Sequence, residues 1–160
     1  MKSFVIAILC GLFCTNIWAN TKVAEDFTLR NFECAAISLS DYKGQVVYLD
    51  FWASWCKPCV ASFPKLEALQ QKYGNHGFTV LAINLDENKA NALAFLQKHP
   101  VTYPVLYDKD AKVAESYQVA AMPSSYFIDK KGNIRLSHRG FVPGDEVKIE
   151  KAIQFLLKEK

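Results

Sequence analysis

The sequence predicts an α/β fold, and two kinds of pattern carry that prediction. Two apolar runs, 46–51 and 78–85, are nearly continuous, which is typical of strands buried on both faces of a sheet. After each run, apolar residues recur every three or four positions, which is the period of an amphipathic helix. Strands that alternate with helices in this way form a central sheet flanked by helices.

The first helix is predicted over 57–74, directly after the first strand, and Gly74 ends it. Pro64 lies inside this segment and is expected to kink the helix. A second helix is predicted over 88–99, and Pro100 ends it. The apolar positions that give the first helix its period are Val60, Phe63, Leu66, Leu69 and Tyr73.

The carboxyl-terminal third adds a strand pair and a closing helix. Residues 103–108 are interpreted as a short strand or an extended loop. Residues 124–140 alternate around a turn at 131–133, which predicts an antiparallel hairpin at one side of the sheet. A last helix is predicted over 144–158, packing through Val147, Ile149, Ile153 and Leu156.

The amino terminus has the composition of a secretory signal peptide. Lys2 is the only charged residue before Lys22, and the run 4–13 is apolar throughout. A membrane-spanning helix needs about 20 such residues, so this run is too short to span a bilayer. A basic start, a short apolar core and the small residue Ala19 predict a signal peptide over 1–19.

Two alternatives to cleavage remain. Ile17 is an unusual residue two places before Ala19, so the cleavage site could shift, and the segment could instead remain as a membrane anchor. A lipoprotein is less favoured, because neither Cys10 nor Cys14 follows a small residue. The protein is thus expected to be exported to the periplasm, either free or anchored by an uncleaved signal.

Composition predicts that the mature chain, 20–160, is one domain. A net charge of +3 with 22% charged residues favours neither nucleic-acid binding nor disorder. If the signal is removed, the mature chain keeps three cysteines, Cys34, Cys56 and Cys59. Three are too few for a disulfide-built scaffold, so one pair and one remaining thiol is the simplest count.

The pair in "FWASWCKPCVASFP" (51–64) has a spacing that zinc sites, structural disulfides and redox pairs all use. A structural zinc needs four ligands, and no second pair or ligand-spaced histidine is present. A disulfide that closes so short a loop contributes only about 2 kcal/mol to stability. The redox interpretation accounts for more of the neighbouring residues, and no metal site is expected.

In the redox interpretation, Cys56 lies at the exposed start of a helix that follows a buried strand. The unpaired N–H groups and the dipole of a helix amino terminus stabilise a thiolate, which makes Cys56 the attacking nucleophile. Lys57 adds a nearby positive charge, and Pro58 suits the first helical turn. Cys59 lies one turn further on the same face and can resolve the mixed disulfide formed at Cys56.

These residues resemble the thioredoxin superfamily. "FWASWCKPC" follows a buried strand, and "AMPSSYFID" comes about 65 residues later. Within the superfamily, the stretch 27–59 is similar to exported thiol–disulfide oxidoreductases of the TlpA/ResA type. The resemblance implies a thioredoxin-like fold with a central mixed β-sheet, flanking helices and an amino-terminal β extension.

The resemblance also implies roles for individual residues. Asp50 matches the buried acid behind the second cysteine, and burial is expected to raise its pKa and make it a proton acceptor for Cys59, in preference to the alternative of a hydrogen-bonded structural Asp. Pro123 matches the family's cis-proline opposite the cysteines, and Met122 before it would offer backbone groups to substrate. Trp55 would flank Cys56, although simple packing explains its position equally well.

The sequence departs from the family pattern at Ser62, where exported relatives often carry Glu. A role in specificity or proton handling carried by that Glu cannot be transferred to this chain. Cys34 has no family role that we can assign, and a buried or idle thiol is favoured over a third redox partner.

Together these residues predict an exported protein-disulfide reductase without cofactor. The expected partners are disulfide-containing exported proteins and a membrane-borne dithiol donor, and we expect a monomer. Alternatives are a disulfide-forming oxidant on the same fold or a copper-binding module using Cys56, Cys59 and His138. A peroxidase is disfavoured because Leu49 and Ala53 replace its Pro and Thr. The sequence names neither substrate nor donor.

Overall fold

The computed structural model describes residues 22–159. The predicted signal peptide, 1–19, lies outside the described residues. Among residues 22–159, no helix is both long enough and apolar enough to cross a bilayer.

One mixed sheet of eight strands organises the described chain, in the order β1-β8-β7-β4-β5-β6-β2-β3. The central strand β4 pairs in parallel with β5 and antiparallel with β7. This confirms the predicted α/β fold with a central mixed sheet. The strands are β1 (Lys22–Val23), β2 (Thr28–Asn31), β3 (Ala36–Ser38), β4 (Val46–Trp52), β5 (Phe78–Asn84), β6 (Val105–Tyr107), β7 (Ser124–Ile128) and β8 (Asn133–Arg139).

All seven residues of β4 and all seven of β5 are buried, as their continuous apolar runs predict. Residues 103–108, which were interpreted as either a short strand or an extended loop, contain the short strand β6, which pairs with β5. The predicted hairpin is β7 with β8, and its turn is fixed by the Asp129 carboxylate, which accepts from Lys131 N and Asn133 N. The amino-terminal β extension is also present, because β2 joins the sheet edge at β6.

Four α-helices flank the sheet: α1 (Lys57–Tyr73), α2 (Lys89–Lys98), α3 (Lys112–Ser116) and α4 (Asp145–Lys158). The three long helices were predicted, and α1 continues through Pro64. The short α3 was missed, because five residues are too few to show a helical period. Val147 was expected to pack but is 50% exposed, since Ile149, Ile153 and Leu156 form the buried stripe of α4. Val60, counted in the stripe of α1, is 39% exposed.

The core is divided by the sheet into two clusters. The first contains Tyr48 and Trp52 of β4 together with both paired cysteines and the buried stripes of α1, α2 and α4. The second contains Val47, Leu49 and Phe51 of the same strand and the buried residues of α3. Because successive strand residues point to opposite faces, Asp50 shares the face of Tyr48 and Trp52. We call this the active face and the other the apolar face.

Candidate active site

The site lies where β4 ends and α1 begins. The connecting loop is held by Asp86, whose carboxylate accepts hydrogen bonds from Ser54 N (3.0 Å) and Ser54 Oγ (2.8 Å). Asn84, the last residue of β5, donates from Nδ2 to the same carboxylate at 2.7 Å. The loop that leads into the cysteine pair is therefore attached to the neighbouring parallel strand.

Cys56 and Cys59 form a disulfide. Cys56 is the N-cap residue of α1, and its Sγ accepts a hydrogen bond from Cys59 N at 3.3 Å. A backbone donor aimed at this sulfur would stabilise a Cys56 thiolate after reduction. The predicted exposure of Cys56 is wrong, because Cys56 is only 4% exposed and Cys59 0%. The α1 start packs both sulfurs against the core, with Cys56 still the outer of the two.

Pro123 comes to the same edge of the sheet through β7. The peptide bond Met122–Pro123 is cis, as the resemblance implied. Ser124, directly after Pro123, is the register partner of Phe51 on β4, so Pro123 lies level with the end of that strand. The Pro123 carbonyl accepts from Gly140 N at 2.8 Å. Met122 packs partly buried against the active-face cluster that includes both cysteines.

Asp50 lies on the active face, the face of the sheet against which both cysteines pack, and is 1% exposed. Burial raises the pKa of this carboxyl from 3.8 to about 7, although a hydrogen bond from Ser125 partly opposes the rise. Ser125 Oγ donates to Asp50 Oδ1 at 2.7 Å, and Asp50 Oδ2 has no hydrogen-bond partner among residues 22–159. This agrees with the raised pKa expected from sequence and leaves one carboxyl oxygen free to exchange a proton.

The remaining predicted substrate-binding residues surround the pair at the surface. Trp55 is 67% exposed, which disfavours the interpretation that it serves core packing. Lys57 and Pro58 are also exposed, and Pro58 occupies the first turn of α1. An exposed Trp beside a nearly buried disulfide is an apolar contact surface next to the sulfurs.

The structure locates Ser62 and Cys34, to which the sequence analysis assigned no role. Ser62 is buried, and its Oγ donates to the Cys59 carbonyl at 3.1 Å, so this hydroxyl serves the first turns of α1. Cys34 is free and exposed on the turn between β2 and β3, so the expectation of a buried thiol is wrong, and that of an idle thiol stays a prediction.

The structure gives the copper alternative no third ligand among the described residues. His138 Nε2 lies 3.4 Å from Asp145 Oδ2 at the start of α4. Within residues 22–159, no three His, Cys, Asp or Glu side chains are grouped so that they could hold a metal ion.

Sequence reasoning missed Ser125 and the Asp86 anchor. Ser125 could have been found, because two serines open the buried strand β7 and a buried hydroxyl requires a partner. Asp86 lies just beyond the end of β5, where a carboxylate in a loop gives no indication of its partner 32 residues earlier.

Comparison with known proteins agrees with this site. Residues 21–137 match the AhpC/TSA family. The chain is 30% identical to the thiol-disulfide oxidoreductase ResA of Geobacillus thermodenitrificans, over 92% of this chain and 91% of the relative. It is 42% identical to the crystal structure of a putative thiol:disulfide interchange protein DsbE from Chlorobium tepidum, with a TM-score of 0.83 over 86% of this chain and 96% of that one.

A second solved structure, the pneumococcal exposed lipoprotein thioredoxin Etrx1 of Streptococcus pneumoniae, is 34% identical with a TM-score of 0.68. The alignment covers 82% of this chain and 100% of that chain. The predicted thioredoxin-like fold is thus confirmed. The chain belongs to the AhpC/TSA family of the thioredoxin superfamily and is a thiol–disulfide oxidoreductase.

Proposed function

We propose that the protein reduces disulfides of exported proteins, with Cys56 as attacking nucleophile and Cys59 as resolving thiol. The observation that carries the proposal is Asp50, a buried carboxyl whose pKa of about 7 suits it to take a proton from Cys59 near neutral pH. The raised pKa results from the desolvation of the carboxylate in the core.

In the first step, the Cys56 thiolate attacks one sulfur of the substrate disulfide. A Cys56–substrate disulfide forms, and the other substrate sulfur leaves as a thiolate. The backbone N–H of Cys59, 3.3 Å from the Cys56 sulfur, favours the thiolate before attack. Cys56 is the attacker because it is the outer sulfur at the N-cap, whereas Cys59 is fully buried.

In the second step, Cys59 gives its proton to Asp50 and its thiolate attacks the Cys56 sulfur. The Cys56–Cys59 disulfide forms, and the second substrate thiolate leaves and is protonated. The substrate gains two electrons and two protons, so the enzyme must be reduced again by a dithiol donor. We propose that a membrane-borne dithiol supplies these two electrons and two protons.

The reducing direction follows from what stabilises the thiolates. A strong oxidant has a very stable thiolate, with a pKa of about 3.5 and a potential of about −120 mV. Here Lys57 and Pro58 separate the cysteines, so no histidine stands between them to hydrogen-bond the sulfur. An ionised Asp50 would disfavour a second negative charge at Cys59. Lys57 opposes this trend only weakly, because an exposed cation has little influence.

The substrate is proposed to be an extended segment of protein. Trp55 offers it exposed apolar area, and the backbone of Met122 before the cis-proline offers it hydrogen bonds. The export of the protein is supported by the sequence of the amino terminus and by similarity to a structure described as an exposed lipoprotein thioredoxin. We propose a periplasmic location and a monomer.

The test is the redox potential of the pair. Equilibration with a dithiothreitol couple, read by Trp fluorescence, should give a value more reducing than about −200 mV. A value of about −120 mV would mean that the protein is an oxidant. A Cys59→Ser variant should accumulate mixed disulfides through Cys56, and peptide mapping of those adducts would identify the substrates. Adducts through Cys59 in a Cys56→Ser variant would reverse the assignment.

A further inference from the structure

The loop between β8 and α4, residues 140–144, begins at the active site. Gly140 N donates to the Pro123 carbonyl at 2.8 Å. Pro123 directly follows Met122, so this hydrogen bond holds the backbone segment to which substrate binding is assigned above. Phe141, the next residue of the loop, is 8% exposed and belongs to the same core cluster as the paired cysteines. The position of the loop therefore bears on the substrate side of the site.

The other end of the loop is fixed by Asp145, the first residue of α4. Asp145 Oδ2 accepts a hydrogen bond from Val142 N at 3.0 Å, and Asp145 N donates to the Val142 carbonyl at 3.0 Å. Both backbone groups of Val142 are thus bonded to one residue, two positions after Gly140. The Val142 side chain is 59% exposed, so what these bonds fix is the loop backbone and not a buried apolar group.

The Asp145 carboxylate is itself held in place. Asp145 is 5% exposed, its Oδ1 accepts from Lys148 Nζ at 2.9 Å, and His138 Nε2 of β8 lies 3.4 Å from its Oδ2. The hydrogen bonds from Lys148 and from the Val142 N–H hold the pKa of this carboxyl below its usual value. The group is therefore ionised near neutral pH, and an ionised acceptor binds the Val142 N–H more strongly than a neutral one.

We propose that Asp145 is a positioning residue for protein substrates. Its carboxylate fixes Val142, and the short loop passes that constraint to Gly140. Gly140 N in turn holds the Pro123 carbonyl and with it the Met122 backbone. The inference adds a residue outside the cysteine chemistry and rests on one part of the proposed function, that an extended protein segment binds at Met122. A disulfide too small to reach Met122 does not depend on Asp145.

Loss of the carboxylate should affect substrate binding and not the thiol chemistry. A loop that samples several conformations must be ordered when substrate binds, and this ordering is subtracted from the binding free energy. The cysteine pair is held by other contacts, because Cys56 caps α1 and the loop before it is anchored on Asp86. Asp145 should therefore set the concentration at which a protein substrate saturates the enzyme, and not the rate at saturation.

Asp129 is the matched control, at the other end of the β7–β8 hairpin. Its carboxylate accepts from Lys131 N and Asn133 N, both at 2.9 Å, and Asp129 is 8% exposed. Like Asp145, it is a nearly buried carboxylate that fixes the backbone of a loop next to β8. It lies in the turn after β7, at the end of that strand away from Pro123. Asp129→Ala thus removes the same kind of contact without affecting the active site.

The experiment compares a protein disulfide with a small one in single turnovers. Fully reduced protein, freed of reductant, is mixed with increasing concentrations of insulin or of hydroxyethyl disulfide, and oxidation of the cysteine pair is followed by Trp fluorescence. Asp145→Ala should raise the half-saturating concentration of insulin about fivefold, the effect of about one lost hydrogen bond. Its maximal rate with insulin and its reaction with hydroxyethyl disulfide should remain those of wild type. Asp145→Asn, which keeps an oxygen acceptor for Val142 N, should restore most of the affinity.

Two further variants complete the test. Asp129→Ala should lose stability and keep the wild-type half-saturation. Asp145→Glu keeps the charge but displaces the acceptor, and should raise the half-saturating concentration even if Asp145→Ala does not fold. Wild-type half-saturation in the folded Asp145 variants, or an equal rise in Asp129→Ala, would overturn the positioning role.

The proposed function fails by a different result. If insulin cannot oxidise the wild-type pair, the reducing direction is wrong, and the same variants are then compared with oxidised protein and reduced insulin. If the wild-type reaction with insulin does not saturate in either direction, the binding of a protein segment at Met122 is contradicted, and the positioning role with it.

Discussion

Both faces of the central sheet carry an apolar core, but their polar groups are satisfied to different degrees. On the apolar face, the buried hydroxyls are paired: Tyr117 donates to the Glu25 carbonyl at 2.7 Å and Tyr126 to the Tyr117 carbonyl at 2.6 Å. The active face holds every buried side-chain N or O atom that lacks a hydrogen-bond partner among residues 22–159. These atoms are Asp50 Oδ2, Trp52 Nε1, Tyr103 Oη and His138 Nε2.

This difference shows on which face unpaired polar groups lower the stability of the fold, and that face is the one that holds the cysteine pair. An unpaired buried polar group costs about 1–3 kcal/mol, so the active face is the less favourable half of the core. The same desolvation brings the pKa of Asp50 to about 7. The apolar face, packed from Leu49, Phe51 and Ile83 among others, supplies stability without titrating near neutral pH. Substitutions on the two faces should therefore have opposite profiles of activity and stability.

The largest effect on activity is expected at the cysteine pair. Cys56→Ser should abolish disulfide reduction, because a serine hydroxyl is not ionised near neutral pH and cannot attack a disulfide. Stability of the reduced protein should change little, since the two side chains are nearly equal in size. Insulin reduction and chemical denaturation of the reduced proteins measure the two quantities. Residual reduction by Cys56→Ser would mean that Cys59 can attack by itself.

The largest effect on stability is expected on the opposite face. Leu49 is fully buried, and Leu49→Ala removes apolar contacts and leaves a cavity. We expect a loss of about 2–5 kcal/mol in the free energy of unfolding, with an unchanged redox potential in the variant that remains folded. Urea unfolding and equilibration with a dithiothreitol couple test this. A shifted potential would show that the apolar face also tunes the cysteines.

Replacing Asp50, the residue after Leu49 on β4, should change the free energy of unfolding in the opposite direction. The folded pKa of Asp50, about 7, lies above its unfolded value of 3.8, so its protonated form stabilises the fold below about pH 4. That contribution is lost as the pH rises to about 7 and beyond. Asp50→Asn should therefore gain stability over wild type, on the order of 2 kcal/mol above neutral pH. Unfolding measured at acidic and alkaline pH should show the gain only at the alkaline end.

The pH dependence of the resolving step in Asp50→Asn tests whether the buried acid takes part in catalysis. Asp50→Asn should slow the attack of Cys59 most near neutral pH, and the rates should converge at alkaline pH, where hydroxide removes the thiol proton. A variant that is more stable above neutral pH and yet resolves at the wild-type rate would separate the raised pKa from catalysis. The buried acid would then be a structural feature alone.

Sequence patterns could predict those features of the two faces that depend on local periodicity. The buried strands β4 and β5, the helix that begins at Lys57 and the acid at Asp50 all follow from runs of a few residues. The cis-proline and the amino-terminal β extension came from resemblance. The pairing of Ser125 with Asp50 could not be predicted, because it joins residues 75 positions apart and depends on the register of two strands.

Exposure was the other quantity that the sequence described poorly. Val60 and Val147 fit the helical period but lie at the edge of the buried stripe, where a shift of a fraction of a turn decides burial. Cys56 was expected at an exposed helix start, yet it is 4% exposed and packs in the core cluster of the active face. Tertiary contacts thus decided each of these cases.

The smallest effect is expected at a cysteine that belongs to neither face. Cys34 lies exposed on the turn between β2 and β3, where its backbone has a positive φ of 72° and its carbonyl accepts from Arg30 Nη1 at 2.8 Å. These are backbone features, and the turn is further fixed by Asn31 Oδ1, which accepts from Ala35 N. Cys34→Ala keeps the Cβ and should leave stability, redox potential and turnover unchanged. Cys34→Ser is the matched control, and peptide mapping of protein purified without reductant should show Cys34 unpaired. A disulfide between Cys34 and Cys56 or Cys59 would make it a third redox partner and place part of the chemistry outside the active face.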